Sequence, residues 1–299
     1  MDDSLSVGIR EEHERSCLER LIDMATDHKT LQPLEFYKTF LDRKSRPDGR
    51  SLLEFRKVTV NAGSIGTADG SAIVKCGNTT VICGIKAEIA VPGMDEPAKG
   101  FIIPNVTLPP LCSSKIKSGP PGEAAQTATQ FIAELVANNI ILDLHTLCIH
   151  SSKWAWVLHC DLVCINLDGS LLDACVIALI TALKNVTLPT VTYDEELDKL
   201  ICDSDQKRPL EGIKQPVTST FSLFENGILI SDPTSEEEQL AAGLTSITME
   251  STLVTHMYKP GGCTLDEKQV KKLIQQSELK AKEIVRLIEE VCLSSIAER

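Results

Sequence analysis

The sequence predicts an α/β (α+β) chain built in two similar halves, in the order strands, helix, strand, helix, strands, helix. Three observations carry the prediction. First, "GTADGSAIVKCGNTTVICGIKAE" sets β-branched runs between the turn pairs Asp69-Gly70 and Gly77-Asn78, the pattern of a three-stranded meander. Second, "KWAWVLHCDLVCIN" is apolar at alternate positions on both faces, as in a central strand covered on both sides. It runs through "DGS" (168–170) into "LLDACVIALITALKNV", which has no charge between Asp173 and Lys184 and so reads as a deeply buried helix. Third, "TLDEKQVKKLIQQSELKAKEIVRLIEEVC" keeps apolar residues at helical period from Val270 to Val291, with Thr264 and Glu267 spaced as a capping box.

The other elements follow in order. Residues 1–31 read as an N-terminal extension, with Cys17, Leu18, Leu21, Ile22 and Ala25 at helical spacing. Residues 32–190 form the first half and 191–299 the second. Pro33 suits the first turn of a short helix whose stripe is Phe36, Tyr37, Phe40 and Leu41, and "RPDGR" turns the chain. "VPGMDEPAKG" and "PNVTLPPLCSSKIKSGPPGEAAQ" are Pro/Gly-rich loops or edge segments. A helix over about 123–138 buries Ala128, Phe131, Ile132, Leu135 and Val136. Strands are predicted at 190–193, 216–224 and 227–231, then twice within "LTSITMESTLVTHMYK".

Composition narrows the function. The 299 residues carry a net charge of −12, the reverse of the Lys/Arg excess that a chain holding nucleic acid alone would need. Aromatic residues are 4%, so the core is aliphatic. No apolar run reaches the roughly 20 residues of a membrane span, and the charged N-terminus is unlike a signal peptide. The 11 cysteines, none in CxxC, sit mostly in apolar runs as small core residues of a reducing compartment. With six scattered histidines they make no zinc spacing.

"DPTSEEEQL" raises the main chemical question, because Asp232, Glu236, Glu237 and Glu238 fall within nine positions. Clustered carboxylates suit magnesium, and magnesium suits phosphate chemistry. The cluster is read here as structural, with Asp232 capping a short helix through the Ser235 and Glu236 amides. Asp168 is read as a turn former and Asp173 as an acceptor for nearby backbone. His159 and Asp161 are read as a buried polar pair, and Trp154 and Trp156 as core. Lys115 and Lys117, in "SSKIKSGPPG", are the candidate RNA contact, against the plain reading of a solvated loop.

The blocks "RPDGR", "GTADGSAIVKCGNTTVICGIKAE", "CDLVCINLDGSLLDACVIALITAL" and "DPTSEEEQL" resemble the RNase PH family over about residues 32–295. "PNVTLPPLCSSKIKSGPPGEAAQ" and "YKPGG" are similar to its eukaryotic exosome-ring branch. The resemblance implies the RNase PH-like fold: two βαβα halves (ribosomal protein S5 domain 2-like), with mixed sheets and helices packed between them. It implies a six-membered ring with other RNase PH-like subunits, S1/KH cap subunits, associated nucleases and RNA, in nucleus, nucleolus and cytoplasm, with no membrane.

Active relatives cleave RNA from its 3′ end by phosphorolysis, with carboxylates holding a metal and arginines holding phosphate. Asp232, Glu236 and Glu237 match the acidic block, but the later aspartate falls at about Leu244. No arginine lies between Arg56 and Arg208, and Lys115 and Lys117 are the only cations near the matching loop. The resemblance therefore implies a non-catalytic ring subunit that lines the RNA channel, needs no cofactor, and holds a vestigial acidic cluster. The alternatives are an active phosphate-dependent 3′–5′ exoribonuclease using Asp232, Glu236 and a displaced third ligand, or an unrelated small-molecule α/β enzyme.

Overall fold

The computed structural model describes residues 29–194, 199–224 and 227–297. The helix predicted within residues 1–31 lies almost wholly outside them. The described residues fall into two compact units, divided between Glu54 and Phe55.

In the first unit, α1 (Pro33–Leu41) has its proline in the first turn and buries Tyr37 and Leu41. After it, the Gly49 amide donates to Arg46 O at 3.0 Å, closing the predicted "RPDGR" turn.

The second unit opens with the predicted meander, β1 (Val58–Ala62), β2 (Gly70–Cys76) and β3 (Thr79–Ala90), all antiparallel. Gly77-Asn78 makes the tight β2–β3 turn; residues 63–69 form a longer first connection. β6 (Trp154–Asn166) pairs antiparallel with β3 and with the short β5 (Cys148–His150), and parallel with β4 (Phe101–Thr107). β4 includes the start of the segment read as loop or edge. It is an edge strand, and an edge tolerates Pro104, whose missing N–H would leave a gap in a central ladder.

One expectation about β6 is corrected. Trp156, Leu158, Cys160, Leu162 and Cys164 are buried, but on the opposite face His159 is half-exposed and Asp161 and Ile165 are exposed. Ala155 and Val157 on that face are buried as expected, so the second side of the sheet is covered at the start of β6 and wetter only from His159 onward. His159 and Asp161 are therefore not a buried pair: His159 lies 3.7 Å from Glu88, and Asp161 accepts from Asn105 at 3.1 Å.

α2 (Glu123–Ala137) buries the residues expected of it and packs on β4. α3 (Leu171–Lys184) is buried continuously from Asp173 to Leu183. It packs on β2 and β3 on one side and on β9 (Val217–Leu223) on the other, so a charge anywhere on its circumference would lack water. β9 belongs to a second sheet, ordered β10 (Leu229–Ser231), β9, β11 (Gly243–Glu250), β12 (Leu253–Tyr258). Between the sheets in sequence, β7 (Thr187–Asp194) and β8 (Lys199–Pro209) form a separate ribbon. The sequence reading missed β8, whose run "DSDQKRP" lacks the apolar alternation of a half-buried strand.

α4 (Ser235–Leu240) carries the acidic segment, and α5 (Glu267–Ala297) closes the chain against β1, β9 and β11. The cap of α5 is displaced from its predicted place. Asp266, not Thr264, precedes the helix, and its N–H donates to Gln269 Oε1 at 2.9 Å. Seven described cysteines, Cys76, Cys83, Cys112, Cys160, Cys164, Cys175 and Cys292, are buried, and burial pushes the Cys76 thiol up to about 12. Among the described residues, no helix is long and apolar enough to cross a membrane.

Candidate functional site

The four carboxylates of the acidic segment go to four different places. Asp232 stands in the turn from β10 to α4 with φ +49°. Its carboxylate accepts from Arg56 three times: Nε at 2.9 Å, Nη2 at 2.7 Å and the backbone N–H at 2.8 Å. Glu236 is exposed. Glu237 is buried and turns back to accept the Thr234 N–H at 2.9 Å, while Thr234 Oγ1 accepts the Glu237 N–H at 3.4 Å. Glu238 reaches the start of α3 and accepts the Ser170 N–H at 2.7 Å.

The cap of α4 is thus Thr234, correcting the assignment to Asp232. A positive-φ residue two places upstream is badly aimed at those amides, whereas Thr234 has the extended backbone of an N-cap. Among the described residues, no three His, Cys, Asp or Glu side chains are gathered where they could hold one metal ion.

Arg56 organises more than Asp232. Its Nη1 donates to the Asp168 carbonyl at 2.6 Å and lies 3.6 Å from the Asp168 carboxylate. Asp168 is a turn residue as expected: it receives Asn78 Nδ2 at 3.2 Å and the Ser235 N–H at 3.4 Å. One guanidinium therefore ties the segment before β1 to the turns that precede α3 and α4. Its five-donor fork is what allows this; a lysine could not span the three acceptors. Burial alone would raise the Asp232 carboxyl, but the Arg56 hydrogen bonds and the Lys280 and Arg56 charges hold it well below the usual carboxylate range.

A second buried pair lies behind the first. Asp173, on the first turn of α3, accepts Lys280 Nζ at 2.6 Å, the Thr220 N–H at 3.0 Å and Thr220 Oγ1 at 2.6 Å. The backbone role expected of Asp173 is there, joined by an ion pair that the sequence reading missed. Lys280 Nζ also sits 4.6 Å from the Phe55 ring centroid. The sequence does hold a signal for Lys280. It falls on the apolar stripe of α5, one turn from Ser277 and Ile284 and two from Leu273, where a cation needs a buried anion. For Arg56 no local signal exists: its partners are 112 and 176 residues away.

Beside these pairs opens a cleft of about 420 Å³. α2 contributes Glu123 and Thr127, the start of α3 Ser170 and Leu172, α4 Glu238, β11 Leu244 and Ser246, and β12 Tyr258. No Lys, Arg or His is among its lining residues. Leu244 supplies part of its apolar wall.

Glu238 is pushed up to about 7, first by burial and then by the Asp173 and Asp232 charges, against the Ser170 hydrogen bond that favours its anion. Between the ordinary glutamate value and about pH 7, the folded chain holds a proton that the unfolded chain has released. Stability therefore falls as pH rises through that window. Glu238→Gln keeps an acceptor for Ser170 and removes the charge. It is expected to raise the unfolding free energy by about 1–3 kcal/mol at pH 8 and by almost nothing at pH 5. Urea titrations at the two pH values check this.

Lys115 and Lys117 are exposed, on the loop between β4 and α2. Trp156 is in the core and Trp154 is half-buried.

Residues 54–189 match the model for the 3′ exoribonuclease family, domain 1, and residues 214–278 match domain 2. A Schizosaccharomyces pombe protein named exosome complex component rrp43 is 40% identical over 248 residues, 83% of this chain and 92% of its own. A Pyrococcus furiosus protein named exosome complex component Rrp42 is 34% identical over 255 residues, 85% of this chain and 91% of its own. Among solved structures, a chain of the Archaeoglobus fulgidus exosome with RNA bound to the active site superimposes with a TM-score of 0.75. It is 31% identical, over 89% of this chain and 98% of that one. Arg56 and Asp173 thus belong to the domain 1 match and Asp232 to the domain 2 match, so the Arg56–Asp232 pair bridges the two. On this extent of identity across both domains, the chain belongs to the 3′ exoribonuclease family of RNase PH.

Proposed function

We propose that this chain is a non-catalytic subunit of an RNA exosome ring. It completes a hexameric ring of RNase PH-like subunits beneath S1/KH caps and lines part of the channel for RNA. Associated nucleases cut that RNA in 3′-to-5′ processing and decay, including rRNA maturation and mRNA turnover, in nucleus, nucleolus and cytoplasm.

The observation that carries the reading is the engagement of Asp232. Phosphorolysis needs a counter-charge for the incoming phosphate and for the departing oxygen. Here the aspartate of the acidic block is held by Arg56 through two side-chain hydrogen bonds, and Leu244 stands in place of the second aspartate. The adjoining cleft has no Lys, Arg or His among its lining residues, so it offers a phosphate ion no counter-charge.

Two outcomes test the proposal. The full chain should copurify with other RNase PH-like chains and, with RNA, magnesium and phosphate, release no nucleoside diphosphate. Phosphate-dependent release from the full chain that disappears on Glu236→Gln, an exposed and structurally mild change, would overturn it.

Lys115 and Lys117 are proposed as channel contacts with RNA phosphates. Lys115→Ala with Lys117→Ala should flatten the slope of log affinity against log salt by about 1.4 for single-stranded RNA. Filter binding of the assembled complex across a salt series measures it, and an unchanged slope removes both lysines from the RNA path.

A further inference from the structure

We propose that the cleft between α2, α4 and β12 is a socket for an arginine side chain, presented on an apolar segment of a partner protein. The inference rests on the cleft itself and stands whether or not the chain is catalytic.

Four features select this guest. The volume, about 420 Å³, exceeds a single side chain, so the apolar residues beside the guest arginine enter too. Much of the wall is apolar, with Ala128, Leu172 and Leu244 suited to the methylenes of an arginine stem. Two carboxylates face the space from different elements, Glu123 on α2 and Glu238 on α4. Glu238 Oε1 accepts the Ser170 N–H at 2.7 Å, which holds its carboxyl group at the cleft wall. Tyr258 supplies a ring face, and its own position is set by Phe131, edge-on at 5.6 Å between centroids.

A planar guanidinium can pair with a carboxylate and stack on that ring together, whereas an ammonium gains only the point-charge attraction. The neighbouring cations of this chain do not fill the role, because Arg56 and Lys280 are committed to Asp232 and Asp173. An RNA segment is disfavoured, since its phosphates would approach two carboxylates with no lining cation to offset them.

The test uses the full chain and two acetylated, amidated peptides, Leu-Arg-Leu and the same sequence with neutral citrulline for arginine, titrated by calorimetry at low salt and pH 8, where Glu238 is ionised. The arginine peptide should bind at least about tenfold tighter than the citrulline peptide. Glu123→Gln and Glu238→Gln should each weaken the arginine peptide and leave the citrulline peptide unchanged. Leu244→Trp, which fills the cleft, should abolish binding of both, with circular dichroism confirming the fold of each variant. Equal binding of the two peptides overturns the proposal, as does arginine-peptide binding indifferent to both glutamates, or none at millimolar peptide. An oligoadenylate that binds the chain and is lost on Leu244→Trp overturns it in favour of RNA.

Discussion

Arg56→Ala or Asp232→Ala is expected to lower the unfolding free energy by about 3–5 kcal/mol. The two side chains are 8% and 5% exposed, so removing either leaves a charge that water cannot reach. Loss of Arg56 leaves Asp232 without its donors and close to the Asp173 charge, and loss of Asp232 leaves the guanidinium only the more distant Asp168 carboxylate, at 3.6 Å, as a counter-charge. Replacing both, as Arg56→Met with Asp232→Leu, should cost less than either single alanine, because no lone charge remains. Urea unfolding followed through Trp154 and Trp156 fluorescence measures all three, and a double variant as unstable as the sum of the singles would refute the pairing.

The pair also sets an acid response. A carboxyl held below its ordinary value contributes stability above the unfolded value, and that contribution disappears as pH falls through the folded one. The Asp232 contribution is therefore whole at neutral pH and fades only in strong acid. Asp232→Asn should be less stable than the parent at pH 7, with the gap closing as pH falls below about 4.

Gly169→Ala is the second large effect, expected at about 2–6 kcal/mol. Gly169 has φ +76°, which strains any residue with a Cβ, and there is no room for one. A methyl group would lie 2.3 Å from Pro233 O and 2.8 Å from Ser235 N, both backbone atoms of the turn into α4. That turn cannot retreat without pulling Asp232 from Arg56 and Ser235 from Asp168. Gly169→Ala should therefore lower the melting temperature of the chain and weaken its copurification with ring partners. A variant as stable as the parent would show that the turn is free to move.

Much of the fold was legible because its elements are locally patterned. The 2–3 hairpin, α2 with its buried stripe and the uncharged α3 each need only a window of neighbours to be read. The misreadings occurred where a neighbour far along the chain decides. β6 looked double-covered along its length because alternation reports hydrophobicity and not whether anything packs on the second face; beyond its covered start the outer side carries His159 and Asp161. β8 was missed because, among the described residues, it pairs only with β7 and is exposed from Ile201 onward, so it has no buried face to impose alternation. The cap of α5 lay two residues from its predicted place because Thr264 and Asp266 are both good cap residues, and the choice between them depends on where the chain arrives from β12.

The sequence by itself determined the family, the strand and helix inventory around α3, and the presence of an acidic cluster at 232–238. Only the tertiary structure decided what the cluster does. Asp232 is a neutralised partner of Arg56 rather than a helix cap. Glu237 closes its own capping box, and Glu238 reaches the start of α3. A carboxylate's role is set by the cation or amide within about 3 Å of it. Across 176 residues of intervening chain, folding alone brings that partner into place.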